Sequence, residues 1–262
     1  MKVRVIRVIP VTLASWNAAY TAFKAMKLLF AVALVALVAS GLLRLQSFSW
    51  SAFGSFPYPD YFKLTVWFSV LALSEVAILS ILAIAVHRFV LLSERANKET
   101  VFDSPRRLLT FAIYAAVPML IYRMSTVWLL IQLRVNPAGA TYTSLLFLQL
   151  LALALLAMMA ILFPAIAVDA RGANLRNAWR DSWRHFGRIL LAAGCVLVPI
   201  IVLVSLFESR AMLYTELEQV TIVSTAIFLV IATAVFAACG SYVYLCYANA
   251  LGRPATINPG RF

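Results

Sequence analysis

The chain is short of charge, above all of acid, and short of the residues that usually do chemistry. Only 12% of its 262 residues are charged, with 10 Asp/Glu against 22 Lys/Arg, and it has two histidines and three cysteines. A soluble domain carries about 25% charged residues and about 45–50% apolar ones. Here 64% are hydrophobic, which leaves too little polar sequence for a separate soluble domain. His87 and His185 have no partners at ligand spacing, and Cys195, Cys239 and Cys246 all sit inside apolar runs. Those cysteines read as small packing residues, not as disulfide partners or ligands. No nucleophile elbow, phosphate-binding loop or dinucleotide fingerprint occurs. The expectation is therefore a protein that is not an enzyme, with no catalytic residues, no metal and no cofactor. The net charge of +12 would suggest nucleic acid on a soluble protein. Without a soluble surface to carry it, nucleic acid is not an expected partner.

What the sequence does have is length in apolar runs. A membrane-crossing helix needs about 20 such residues. The pattern predicts an all-α polytopic bundle, a single integral membrane domain over 1–262 with six spans. These lie at about 28–45, 63–86, 108–133, 143–168, 189–207 and 220–247. Two amphipathic helices are expected at the cytoplasmic interface, at about 12–27 and 174–188, the first starting after Pro10 with Thr12 as N-cap. His87 and Arg88 are read as the cytoplasmic end of the second span. A cleaved signal peptide competes for the first apolar run, but the basic region before it is long and carries its own helix pattern. The aromatics Trp50, Tyr58 and Tyr61 in the stretch 46–62 suit a headgroup belt.

Orientation follows from where the basic residues fall. Lys2, Arg4, Arg7, Lys24 and Lys27 precede the first span. Arg88, Arg95, Lys98, Arg106 and Arg107 lie between the second and third. Arg171, Arg176, Arg180, Arg184 and Arg188 lie between the fourth and fifth. The alternating loops hold only Arg44 and Lys63, then Arg134, then Arg210. The positive-inside bias puts every rich segment, and both termini, in the cytoplasm.

Two constellations stand out as candidate sites. Glu75 and Arg123 fall near the middle of the second and third spans, in antiparallel helices, each roughly 17 Å inward of its outer basic flank at 1.5 Å per residue. A lone charge at mid-bilayer costs about 2.5–3.5 kcal/mol on insertion scales. The two are expected to pair, joined by Ser74, Tyr122 or Ser125, either as a structural ion pair or as a substrate or proton site. The second constellation is Arg176, Arg180, Arg184 and Arg188, spaced by four along a helix whose other stripe runs through Leu175, Ala178, Trp179, Ser182, Phe186 and Leu190. Such a helix either anchors topology or recognises anionic lipid headgroups, at about 1 kcal/mol per basic residue. Trp16, Tyr20 and Phe23 recur as Trp179, Trp183 and Phe186 at one constant offset, the mark of a duplicated helix-plus-hairpin unit or of two amphipathic helices alike by pattern alone.

The motif FPAIAVD at 163–169, with AW at 178–179, SW at 182–183, Phe186 and HRFVLLSE at 87–94, resembles a widespread group of bacterial six-span membrane proteins. That group is similar to the membrane domain attached to some glycerophosphodiester phosphodiesterases. The catalytic domain of those enzymes has no counterpart here. The resemblance implies a helical bundle in a bacterial inner membrane with no assigned activity. Two functions follow as expectations: a non-enzymatic membrane module that organises lipids or a partner membrane protein, or a small transporter built on Glu75 and Arg123.

Overall fold

The computed structural model describes residues 8–53, 61–94, 104–135, 142–211, 218–249 and 251. Within them the chain is helical throughout, with no strand. The described helices are α1 (Val8–Ala25), α2 (Lys27–Phe53), α3 (Tyr61–Leu92), α4 (Pro105–Val135), α5 (Tyr142–Met159), α6 (Leu162–Ala167), α7 (Leu175–Trp183), α8 (Phe186–Ala211) and α9 (Glu218–Tyr247). Three described helices are long and apolar enough to cross a membrane: Lys27–Arg44, Val66–Leu92 and Gln219–Tyr247. The bent pair of α7 with α8 makes a fourth if counted as one span. Leu28, Val32 and Val35 on α2, Trp67 and Val70 on α3, Leu109 and Ile113 on α4, and Val198 and Val202 on α8 all face outward. Apolar surface on so many long helices marks a membrane-embedded protein.

α9 is the central post. It packs against α1, α2, α3, α6 and α8, and small residues let the neighbours come close. Ala226, Ala234, Ala237, Ala238 and Ser241 are all buried. A Cβ on Gly41 of α2 would stand 2.5 Å from the Ile222 side chain of α9, and one on Gly240 would stand 2.7 Å from the Ala160 carbonyl oxygen. The far half of α3 is enclosed on every side, with Leu82 to His87 buried without interruption.

The helices depart from the sequence expectations in four places. α1 begins at Val8, not after Pro10. Proline is tolerated there because the first-turn N–H groups have no intrahelical acceptor. Thr12 is therefore not a cap, and its hydroxyl donates to the Val8 carbonyl at 3.0 Å. α1 also packs on α9 and α8, burying Ser15, Ala19 and Ala22, so it belongs to the bundle on that face. α2 and α3 outrun their predicted spans, and α3 runs on to Leu92. His87 is 2% exposed and lies in the last two turns of the helix.

The expected span 143–168 is broken. α5 stops at Met159, a turn takes Ala160 and Ile161, and α6 follows as one short, wholly buried helix. Pro164 is the cause: it has no N–H to offer the Ala160 carbonyl four residues back. The expected amphipathic helix 174–188 ends early as well. α7 stops at Trp183, and the chain turns 92° into α8, so Arg188 lies on the following helix. The Trp50 and Tyr61 side chains, and residue Tyr58, lie outside the described residues.

Candidate functional site

Among the described residues, charged side chains collect in three places. The first is around Glu75, whose carboxylate on α3 meets Arg44 of α2 in an ion pair and accepts the Ser40 hydroxyl at 3.3 Å. Ser40 and Arg44 are four residues apart, hence on one face of α2. Glu75 is 3% exposed and Arg44 22%. The Arg44 guanidinium also lies 5.8 Å from the Phe68 ring centroid. The expected partner Arg123 is on α4, which packs along α3, but its side chain lies outside the described residues, as do those of Tyr122 and Ser125. Ser74 turns back to the Leu71 carbonyl at 2.7 Å. By sequence Arg44 reads as a loop flank, because the polar run after it looks like the end of the helix. α2 continues through that run to Phe53.

The second place is where α3, α4 and α6 meet. Arg107, at the start of α4 and 2% exposed, donates to the Asp169 carboxylate at 2.5 Å. Arg88 near the end of α3 lies 3.8 Å from the same carboxylate, and binds Glu94 at 2.6 Å and the Ala167 carbonyl at 3.1 Å. Backbone geometry builds this cluster. After α6 the Asp169 N–H bonds the Ile166 carbonyl, and the Ala170 N–H reaches back to Ala165 at 2.9 Å. That pattern ends a helix through a residue at positive φ, where glycine is usual. The residue here is Asp169, with φ 52°. Ser93, with φ 58°, turns the end of α3 and carries Glu94 onto Arg88. Left-handed backbone at a side-chain-bearing residue is held only where surrounding contacts fix it, and here both instances adjoin the same ion pairs.

The third place is α7. Asn174 caps it, accepting from the Asn177 N–H at 2.8 Å. Its inner face is tied down by polar contacts. The Ser182 hydroxyl donates to the Met158 carbonyl at 3.1 Å, an acceptor near the end of α5 where the helix breaks. Asp181 is buried and accepts the Asn249 and Leu251 N–H groups at 2.9 and 3.2 Å. With Asp181 turned inward, the outer face keeps only positive charge. Arg171, Arg176, Arg180, Arg184 and Arg188 are all exposed, and none of them makes an ion pair among the described residues.

The expected apolar stripe of this helix is split in two. Ala178 and Ser182 go inward, whereas Leu175 and Trp179 face out beside the arginines. Trp179 and Trp183 stack at 5.3 Å and 13°, 47% and 63% exposed. Two shallow hollows open on this surface. Arg176, Asn177, Trp179, Arg180, Trp183 and Arg184 line one. Arg184, His185, Gly187, Arg188 and Leu191 line the other. His185 stacks flat on Tyr247 at 4.0 Å, and its pKa is held below the usual histidine value by partial burial, then by the positive charges of Arg188 and Arg184, with Asp181 opposing.

The recurrence of the aromatic triplet extends to buried positions, which either of its two readings accommodates. Ser15 and Ala19 of α1 correspond, at the offset of the aromatic triplet, to Ala178 and Ser182, and all four are buried. The helices differ in what they do next, since α1 runs 18 residues along the bundle and α7 stops after 9 at a sharp bend. Among the described residues no group of His, Cys, Asp and Glu is placed to hold a metal ion. No protein-family model, curated protein or solved structure matches the chain.

Proposed function

We propose that the protein is a non-enzymatic module of a bacterial inner membrane that gathers anionic lipids at its cytoplasmic face, and through them or directly a partner membrane protein. Six spans with both termini in the cytoplasm fit the distribution of Lys and Arg along the sequence. In that arrangement α7 lies in the headgroup layer. The observation that carries the reading is an outer face with four arginines, on α7, at the bend after it and at the start of α8, beside a stacked tryptophan pair, with the Asp181 carboxylate drawn inward. Arginine suits phosphate because its planar fork donates two parallel hydrogen bonds, and tryptophan suits the headgroup boundary. The alternative, a small transporter working through Glu75 and Arg123, needs water to reach Glu75. That carboxylate is 3% exposed and bonded to Ser40 and Arg44, which supports the module.

The test is the lipid that stays with the full-length protein through purification, identified by mass spectrometry. Anionic phospholipid should be enriched over phosphatidylcholine. Changing Arg176, Arg180, Arg184 and Arg188 together to Gln should remove the enrichment at about 1 kcal/mol per side chain. Equal retention of zwitterionic and anionic lipid would overturn the reading.

A further inference from the structure

The two hollows on the α7 surface are not independent, because they share Arg184. On a straight helix, arginines spaced by four would form a stripe that advances about 6 Å and rotates about 40° per step. Phosphates bound along it would sit apart, each on its own turn. The 92° bend between α7 and α8 interrupts that stripe. It falls just after Arg184, so the Arg176–Arg180 pair lies before the corner and Arg188 after it, with Arg184 at the corner facing both hollows. Each hollow then offers two or more guanidinium groups and one further polar side chain, Asn177 in the first and His185 in the second. Hydrogen bonds hold the corner. Ser182 and Asp181 tie one arm to α5 and to the chain after α9, and the His185 N–H bonds the Ser182 carbonyl at 3.0 Å while the Ile189 N–H bonds the His185 carbonyl at 3.0 Å. The Trp179–Trp183 stack walls the first hollow and Leu191 the second, so apolar surface adjoins both.

We infer that the two adjacent hollows hold one lipid carrying two phosphates, the first phosphate between Arg176 and Arg180, the second at Arg188, and Arg184 between them. The inference rests on the anionic-lipid reading and narrows its ligand. Two phosphates on one molecule gain from effective concentration, since binding the first places the second beside its own pair. Single-phosphate lipids gain nothing from the corner.

The experiment is a native mass-spectrometry titration of the full chain in detergent. The probes are diphosphatidylglycerol, phosphatidylglycerol at equal phosphate, and phosphatidylcholine. Diphosphatidylglycerol should bind about tenfold tighter per phosphate than phosphatidylglycerol. Arg184→Gln should erase most of that ratio, while Arg171→Gln, outside both hollows, should leave it unchanged. Circular dichroism should be the same for both variants, since both side chains are exposed. Equal affinity per phosphate for the two anionic lipids, both above phosphatidylcholine, would overturn the two-phosphate inference and leave the anionic-lipid reading standing. No preference for either over phosphatidylcholine would overturn both. Displacement of diphosphatidylglycerol by equimolar inorganic pyrophosphate would overturn a lipid as the ligand in favour of a soluble diphosphate.

Discussion

Arginines in two regions of this molecule meet opposite fates. Arg44, Arg88 and Arg107 lie between helices, and each meets a carboxylate, on Glu75, on Glu94 and Asp169, and on Asp169 respectively. Arg176, Arg180, Arg184 and Arg188 lie on the outer surface of α7 and the start of α8, where the nearest carboxylate, Asp181, has been turned away to hold backbone N–H groups. The side chain is the same and the physics is not. Between helices a guanidinium has lost most of its water, and removing its carboxylate leaves a charge without compensation. On the exposed face of α7 the guanidinium groups keep their contact with solvent, so an arginine there can be lost with little cost to the fold. Ten acidic residues among 262 are too few to neutralise every arginine. Among the described residues, Glu75, Glu94 and Asp169 stand against arginines that lie between helices.

That contrast breaks most visibly at Glu75. Replacing it with Ala removes the carboxylate that Arg44 meets inside the bundle, and removing one partner of a buried pair costs about 3–5 kcal/mol. Thermal unfolding in detergent should show a large drop. A Glu75→Gln, Arg44→Leu double variant should recover most of it, because the charge left behind is what costs. If Glu75→Ala unfolds no earlier than the parent, the pair is not structural and the transport reading gains.

A smaller loss is expected from Asp169→Asn, which tolerates the positive φ and removes only the charge shared by Arg107 and Arg88. Hydrogen bonds to charged groups are worth about 1.5–3 kcal/mol. Asp169 is 57% exposed, so solvent screening brings the expected cost to about 1 kcal/mol. Asp169→Gly relaxes the backbone and loses the same ion pairs. If Asp169→Gly is more stable than the parent, backbone strain outweighs the charge cluster there.

The sequence made some of this legible and hid the rest for physical reasons. Helicity and embedding in a membrane follow from apolar runs, which local composition determines. Glu75 stood out because a carboxylate in such a run is costly anywhere. Its partner Arg44 did not, because choosing among flanking arginines depends on how far α2 continues, and the polar stretch to Phe53 gives no sign of helix. The break at Ala160 was masked by an apolar run that stays apolar through it, although Pro164 was there to suggest it. The Arg88–Arg107–Asp169 cluster depends on three helix ends meeting in space, and no spacing along the chain encodes that. The arginine stripe of α7 was visible by period, but its bend was not, since Arg184 and His185 continue the same pattern into the turn.

On the outer face the expected effects on stability are slight. Arg176→Gln and Arg180→Gln should each change it by no more than about 0.5 kcal/mol, yet each should weaken anionic-lipid binding by about 1 kcal/mol, roughly fivefold. Paired measurements of unfolding and lipid retention would check this. A variant that lost stability and binding together would show that the outer arginines serve the fold like the inner ones.

The smallest and most diagnostic effect belongs to His185, which lies at the corner between Arg184 and Arg188. Its pKa is lowered in the free protein by burial first and by those two arginines second, against the pull of Asp181. A histidine lowered in this way stays neutral in the fold when its unfolded form, with a pKa near 6.5, takes up a proton. Its contribution to stability is therefore present above about pH 6.5 and is lost as pH falls towards the folded value. A phosphate in the same hollow reverses part of the cause, because it offsets the arginine charges and favours the protonated ring. By linkage, anionic lipid should then bind more tightly as pH falls from about 7 to about 5. Lipid retention measured at both pH values, for the parent and for His185→Gln, separates this from any general effect of acid on the membrane surface. The parent should gain affinity and the variant should not. An equal gain in both would mean that the phosphate does not approach the corner, and that the arginines of α7 act as a diffuse charge rather than as a site.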